Sequence, residues 1–190
     1  MHRSMKNCLR AGARVLIMGL LVAGPAVADQ KDSRLDGLFT ALAKAADARE
    51  AAQLETRIWK IWSETKQQEV NRLFSQGRAA MQSGQLDEAI RLFSAIIKMR
   101  PDFAEAWNKR ATVFYMQHKL AESVVDIEHT LALEPRHFGA ISGMGLIFMA
   151  REDAQGALQA FERVLEINPQ SVSARINVEW LRKQIYKHGA

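Results

Sequence analysis

From residue 70 onward, apolar and small residues recur three and four positions apart, in stretches separated by short polar turns. This spacing places the side chains on one face of an α-helix. The first two stretches lie on either side of a Ser83-Gly84 turn and carry Leu73, Phe74, Gly77, Ala80 and Met81, then Ala89, Leu92, Phe93, Ile96 and Ile97. The pattern therefore predicts pairs of amphipathic helices that are joined as hairpins.

The hairpins repeat with a period of 34 residues, which separates Pro101 from Pro135 and Pro135 from Pro169. Each proline ends a helix, because it lacks a backbone N–H and disfavours helical geometry in the residue before it. Five further positions keep the same register: Leu73, Trp107 and Ile141; Gly77, Ala111 and Gly145; Ala80, Phe114 and Phe148; Ala89, Ser123 and Ala157; and Phe93, Ile127 and Phe161. Because one hairpin cannot bury its own apolar face, about three must stack to be stable.

These positions resemble the tetratricopeptide repeat family, whose pattern runs W-x2-L-G-x2-Y, then A-x3-F, then P. The chain departs from this pattern at Gln76 and Arg110, where leucine is usual, at Ala111 for glycine and at Ser123 for alanine. The resemblance implies an all-α fold, a right-handed superhelical solenoid, with repeats at 70–103, 104–137 and 138–171.

Arg110 stands where an apolar residue normally packs. A buried arginine needs a partner, and Asp126 on the following predicted helix is the candidate. We interpret this pair as a structural salt bridge.

Two further helical segments flank the repeats. Residues 29–69 are expected to form a degenerate hairpin, with Ser33 and Asp47 as candidate N-caps, and Glu50 completes a capping box with Asp47. Residues 172–190 are expected to form a capping helix, whose polar outer face keeps a terminal repeat soluble.

Trp59 and Trp62 lie three positions apart on the second helix of the N-terminal hairpin, so both can face the same neighbour. Two interpretations are open. The tryptophans either pack against the first full repeat, or form an exposed aromatic patch for docking.

Residues 1–28 are typical of a secretory signal peptide: four basic residues, an apolar run at 15–24, and Ala26-Val27-Ala28 before a cleavage site between Ala28 and Asp29. We therefore expect a periplasmic or otherwise exported protein; an uncleaved anchor and an organelle transit peptide are the alternatives, and only an uncleaved signal would contact the membrane. Cleavage would lower the net charge from +5 to +1, because the segment holds four Lys and Arg and no acid. Nucleic acid is then not an expected partner.

The sequence gives little support for thiol, enzymatic or metal chemistry. Cys8, the only cysteine, lies in the predicted signal, so the mature chain would have neither a disulfide nor a thiol nucleophile. Enzyme motifs for metal, phosphate or acyl chemistry are missing, and the histidines do not share a helix face. We expect no catalysis, cofactor, metal site or small-molecule substrate.

In the family, ligands usually lie along the concave face, which the first helix of each repeat lines. The resemblance thus implies a binding groove lined by Phe74, Arg78, Glu105, Asn108, Lys109, Thr112, Tyr115, Arg136, His137, Leu146 and Met149. The lysine and asparagine set with which some members grip a C-terminal carboxylate is not reproduced here.

The leading hypothesis is a non-catalytic adaptor of the cell envelope that holds a peptide segment of another envelope protein in this groove. Two alternatives remain. One is a structural self-assembler or homo-oligomer, formed through stacked repeat ends or the Trp59 and Trp62 patch. The other is a permanent accessory subunit of an envelope complex.

Overall fold

A computed structural model describes residues 32–188 of the chain. This part is helical throughout, and the all-α solenoid prediction is confirmed. The helices are α1 (Arg34–Leu42), α2 (Ala48–Ser63), α3 (Gln68–Gln82), α4 (Leu86–Met99), α5 (Ala104–Met116), α6 (Leu120–Leu133), α7 (Phe138–Ala150), α8 (Ala154–Ile167) and α9 (Val172–His188).

The predicted signal peptide and its cleavage site lie outside the described residues. Within 32–188, none of the helices has the length and apolar character that crossing a membrane requires.

Helices α3 and α4, α5 and α6, and α7 and α8 pack as the three predicted hairpins. Glycine permits the close approach in two of them. A Cβ atom on Gly77 would lie 2.7 Å from the Phe93 ring, and one on Gly145 would lie 2.9 Å from the Phe161 ring. This contact explains why small residues on the first helix recur in register with large ones on the second.

The N-terminal hairpin has the predicted helices but a different neighbour. Asp47 caps α2, since its side chain accepts a 2.8 Å hydrogen bond from the Glu50 N–H, and Glu50 in turn accepts one from the Ala46 N–H. Ser33, the other candidate N-cap, forms no side-chain capping bond within the described residues. The apolar faces of α1 and α2 share a core with α7, α8 and α9, whereas the first repeat builds a separate core around Phe93.

Arg110 and Asp126 form the predicted salt bridge. Two guanidinium nitrogens of Arg110 donate to the Asp126 carboxylate at 2.7 and 2.8 Å, and a third donates to the Ser94 hydroxyl at 2.9 Å. Asp126 is buried and Arg110 half-buried. Because Ser94 belongs to α4, the arginine joins the first repeat to the second.

We expect Asp126→Ala to lower the free energy of unfolding by about 3 kcal/mol, because it leaves a partly buried arginine without its counter-charge. Urea denaturation measures the loss, and Glu128→Ala, an exposed position on the same helix, is the control. Replacing both Arg110 and Asp126 by leucine should recover most of the stability, since an apolar pair carries no desolvation cost. A double variant no more stable than Asp126→Ala would contradict this account.

Candidate functional site

The 34-residue period places equivalent residues of α3, α5, α7 and α9 in two rows. We call these rows the inner face, and they consist of Phe74, Asn108, Ser142 and Ile176 in the first row, and Arg78, Thr112, Leu146 and Trp180 in the second. Residues of both rows from α5 and α7 line one cavity, which shows that the rows of neighbouring repeats adjoin in space.

Helix α2 lies across one edge of the inner face, and its first half borders the start of α9. At its middle, Glu55 accepts a hydrogen bond from Asn168 in the turn before α9. In its second half, Trp59 contacts α5 and α7. Beyond its end, Thr65 and Asn71 of α3 exchange hydrogen bonds through backbone and side chain.

Trp59 fits a space that a glycine provides. Its ring lies edge-on to Phe138 with centroids 5.4 Å apart, and the Lys109 ammonium lies 4.8 Å from the ring centre. A Cβ atom on Gly139 would come within 2.6 Å of the Trp59 ring. Any larger residue at position 139 would therefore have to displace the tryptophan.

Trp62 is fully buried and stacks on His137, with ring centroids 4.1 Å apart and planes 9° from parallel. It also packs against Phe39 of α1 and Phe138 of α7. Both tryptophans thus pack against His137 and Phe138, where the second and third repeats meet, which corrects the interpretation that they pack against the first repeat. The other, an exposed aromatic patch, is also excluded, because Trp62 has no exposure and Trp59 is half-buried.

His137 orders the site beneath Trp62. Its Nδ1 atom accepts a hydrogen bond from the Ala140 N–H and caps α7. The ring hydrogen must then lie on Nε2, which donates to Glu105 at 2.9 Å. Asn108 also donates to Glu105 at 2.9 Å, and the Lys109 ammonium lies 3.0 Å from the second carboxylate oxygen.

Glu105 is completely buried, and two effects act on its carboxyl group. Burial raises its pKa, but the charge of Lys109 and the hydrogen bonds from His137 and Lys109 outweigh burial, so that the net pKa is lowered. The carboxylate therefore stays ionised beneath α2.

Several predicted groove residues are therefore not accessible to a ligand. Glu105, Asn108 and His137 are buried together, and Phe74 is buried between Phe93 and Phe103. The sequence pattern gave no sign that α2 would cover Glu105, Asn108 and His137, or that Phe93 and Phe103 would enclose Phe74.

Arg136 is also engaged within the chain. It forms ion pairs with Asp36 of α1 at 2.8 Å and with Glu134 at 3.1 Å, and its guanidinium lies 4.3 Å from the centre of the Phe39 ring. Its predicted role as a groove residue is replaced by that of a link to the N-terminal hairpin.

Lys109 lies beneath Trp59 and pairs with Glu105. The other predicted residues lie on the part of the inner face that α2 leaves uncovered, which we call the open strip. Thr112, Tyr115 and Leu146 line a cavity of about 150 Å³ between α5 and α7, and Gly139 and Gly143 keep part of it free of side chains. At one end, Arg78 borders a cleft between α2 and α3; at the other, half-buried Met149 lines a cavity with Trp180.

Ile176 and Trp180 extend the open strip onto α9, where their side chains are 61% and 48% exposed. Sequence reasoning missed them, because it treated α9 as a polar cap. The repeat period does indicate them, because Ile176 and Trp180 lie 34 residues after Ser142 and Leu146. Together with Leu146, which is 39% exposed, they give the strip an apolar end.

No cluster of side chains among residues 32–188 has the composition of a metal site. The groups on the open strip are hydroxyls, a phenol, a guanidinium and apolar side chains, which suit recognition of a polypeptide.

Comparisons with known proteins agree with this architecture. The tetratricopeptide repeat family matches residues 74–128 and 140–171. A TPR repeat-containing protein of Rhizobium etli is 34% identical over 152 residues, which are 80% of this chain and 74% of the relative. RNA polymerase II-associated protein 3 of Xenopus tropicalis is 28% identical over 57% of this chain, which spans only 17% of that relative.

Solved structures share the fold at lower identity. The Sgt2 TPR domain of Aspergillus fumigatus is 24% identical with a TM-score of 0.60, over 67% of this chain and 85% of that one. The first TPR of Spaghetti (RPAP3), solved with an HSP90 peptide, is 24% identical with a TM-score of 0.60, over 63% of this chain and 94% of that one. MamA is 17% identical with a TM-score of 0.57, over 82% of this chain and 83% of that one.

The buried carboxylate makes a pH-dependent contribution to stability. Glu105→Gln should lower the free energy of unfolding at pH 7 by about 2 kcal/mol, because Lys109 and His137 lose a charged acceptor. Since the folded pKa of Glu105 is lowered, its contribution is complete above the unfolded value near 4.5 and is lost as pH falls through the folded pKa.

Urea denaturation at several pH values between 7 and 2 measures this effect. The difference between wild type and Glu105→Gln should shrink toward the acid end, whereas exposed Glu166→Gln should show little difference at any pH. A difference that stays constant down to pH 2 would contradict the lowered pKa.

Proposed function

Since this chain belongs to the tetratricopeptide repeat family, we propose that it is a non-catalytic adaptor that binds a segment of another protein along the open strip. The observation that carries the proposal is the exposed apolar end of the strip, formed by Leu146, Ile176 and Trp180. Exposed apolar side chains of this size, grouped on one face, are typical of surfaces that bind other proteins.

The open strip also has features that select the ligand. The cavity between α5 and α7, at about 150 Å³, has room for one apolar side chain. Beside it lies the Tyr115 ring, whose combination of apolar surface and hydroxyl is common at protein interfaces. We therefore expect the bound segment to insert an apolar anchor here and to extend apolar contacts toward Trp180.

Two structural neighbours were solved in complexes: Spaghetti (RPAP3) with the HSP90 peptide SRMEEVD, and the TPR2B domain of yeast Sti1 with pHsp70. These support a peptide as the class of ligand. A segment with apolar anchors suits this chain better than a C-terminal carboxylate, because Lys109, the lysine on the inner face of α5, is paired with Glu105 and covered by Trp59.

Self-assembly through the tryptophans is not favoured, since Trp62 is buried within its own chain. We propose instead that the partner is an envelope protein, because residues 1–28 have the pattern of a signal peptide.

Export predicts a defined N-terminus. Cell fractionation followed by N-terminal sequencing should find the protein in the envelope fraction with Asp29 as its first residue. Ala26→Leu and Ala28→Leu together should block processing, because the cleavage site requires small residues at these two positions. A protein that retains Met1 and remains in the cytoplasmic fraction would contradict the envelope assignment.

Photo-crosslinking in cells tests the binding surface. A photoreactive residue at Thr112 should give a discrete adduct with a second protein, whereas the same residue at Glu128, exposed on the outer helix α6, should not. Introducing Leu146→Glu should reduce the Thr112 adduct at least tenfold, because a charge at the apolar end opposes an apolar anchor.

The matched variant Glu128→Lys, combined with the Thr112 probe, should leave the adduct unchanged. Equal adducts from Thr112 and Glu128, or none from either, would contradict binding along the open strip.

A further inference from the structure

We propose that the α1–α2 hairpin is a displaceable occupant of the inner face, and that the partner displaces it with an amphipathic helix that carries the side-chain pattern of α2. That pattern is an acid followed by aromatic residues four and seven positions later, as in Glu55, Trp59 and Trp62. The inference rests on the proposed function, because it takes the same inner face as the surface that binds the partner.

The first argument is the path of α2. A bound helix that crosses a row of repeats contacts several of their first helices, and α2 does so through Glu55 at the turn before α9 and through Trp59 on α5 and α7. Residues four and seven positions apart lie on the same side of a helix, so the acid and both tryptophans face the repeats together. The hairpin is thus bound in the manner of a helical ligand in a groove.

The second argument is the chemistry of the covered surface. Where α2 lies, the repeats present Glu105, Asn108, Lys109 and His137. A surface that serves only to hold a permanent core helix has no need of an ionised carboxylate, an ammonium group and an amide, since burying them is costly. Such groups at precise positions among aromatic contacts are what a recognition surface uses to orient a ligand.

The third argument is an imperfection in the docked hairpin. The Trp62 indole N–H is buried, and within the described residues it has no hydrogen-bond acceptor. Burying an unpaired donor costs free energy that an open hairpin, with the indole in water, would recover. A partner helix that offers an acceptor at this point would bind the same surface with a better-satisfied contact.

The fourth argument is the way the hairpin is attached. Residues 64–67 connect α2 to α3, and the Asn71 side chain closes this turn through the backbone of Thr65. The ion pair between Arg136 and Asp36 of α1 is partly in solvent, since the two side chains are 38% and 82% exposed. Opening about 64–67 would therefore release the hairpin without unpacking a helical pair of the three repeats.

A tethered occupant competes with any free ligand, because its effective concentration is high. The apparent affinity for the partner falls in proportion to the fraction of chains whose hairpin is open. The hairpin thereby restricts binding to helices that match its own pattern closely.

Hydrogen exchange on the unmodified full chain tests whether the hairpin opens. Amides of α2 should exchange at least tenfold faster than those of α5 and α6, because they become exposed by local opening. If α2 amides are protected to the same extent as the repeats, the hairpin is an integral part of the cooperative fold and the proposal fails.

A peptide added in trans tests the pattern. The probe is a fluorescein-labelled peptide of residues 46–66, and the protein is the full chain with Trp59→Ala and Trp62→Ala, which remove aromatic contacts of the hairpin with His137 and Phe138 and change no residue of the repeats. Fluorescence anisotropy should show binding at least tenfold tighter than to wild type. A peptide carrying the same two alanines should bind neither protein.

A crosslink that holds the hairpin in place, which we call the lock, makes the test independent of whether the Trp59→Ala, Trp62→Ala variant folds. Ala46→Cys and Gln170→Cys, in a Cys8→Ser background, place thiols where the Gln170 side chain approaches the backbone of Ala46. Joining them with a short bis-maleimide should reduce binding of the peptide at least tenfold relative to the same protein before the reaction, and each single-cysteine protein, treated alike, is the control. Equal binding by locked and unlocked protein would overturn the proposal.

The two proposals fail separately. The Thr112 crosslink reports on the open strip and does not require the hairpin to move. A Thr112 adduct that is unchanged in the locked protein would support the adaptor function and reject displacement of the hairpin. Binding of the peptide without any Thr112 adduct would support displacement and reject binding along the open strip.

Discussion

The contact between Trp62 and His137 is the interaction on which the arrangement of the molecule depends. The imidazole caps α7 through Ala140, donates to Glu105 on α5, and supports the Trp62 ring on its face. One side chain thus joins the second repeat, the third repeat and the N-terminal hairpin. Because its two nitrogens have opposite roles, the neutral ring with its hydrogen on Nε2 is the form that satisfies both bonds at once.

This contact divides the inner face of the solenoid into two parts with different chemistry. The part beneath α2 is aromatic and charged, and its polar groups are already paired within the chain. The open strip is polar at Thr112 and apolar at Leu146, Ile176 and Trp180, with those three side chains left in solvent. The uncovered surface is therefore the one that can bind a partner without any rearrangement, and the covered one becomes available only if α2 leaves.

The sequence predicted most of the architecture because the period of 34 residues reports directly on packing. The pairing of Arg110 with Asp126 follows from the hairpin pattern, since the two helices of one repeat pack side by side. The contact of Gly77 with the Phe93 ring was found only in the structure. The position of the α1–α2 hairpin on the repeats could not be predicted from this period. Trp59 and Trp62 define which side of α2 is buried, but periodicity within a helix says nothing about which distant helix covers it, and no repeat unit supplies a register for residues 33–66.

The same reasoning separates structural from binding residues on the first helices. The position within the repeat identified the side chains that point to the inner face. Glu105 and Thr112, seven residues apart on α5, nevertheless differ, because Glu105 is buried under Trp62 and its neighbours whereas Thr112 is exposed. What distinguishes them is where α2 crosses these helices, because its tryptophans contact Lys109, His137 and Phe138, near the starts of α5 and α7. A partner that binds only the open strip therefore meets hydroxyls and apolar groups, and a partner that also displaces α2 gains the ionised Glu105, Lys109 and the His137 face. The charge and aromatic content of the partner's helix should consequently reveal which part of the inner face it occupies.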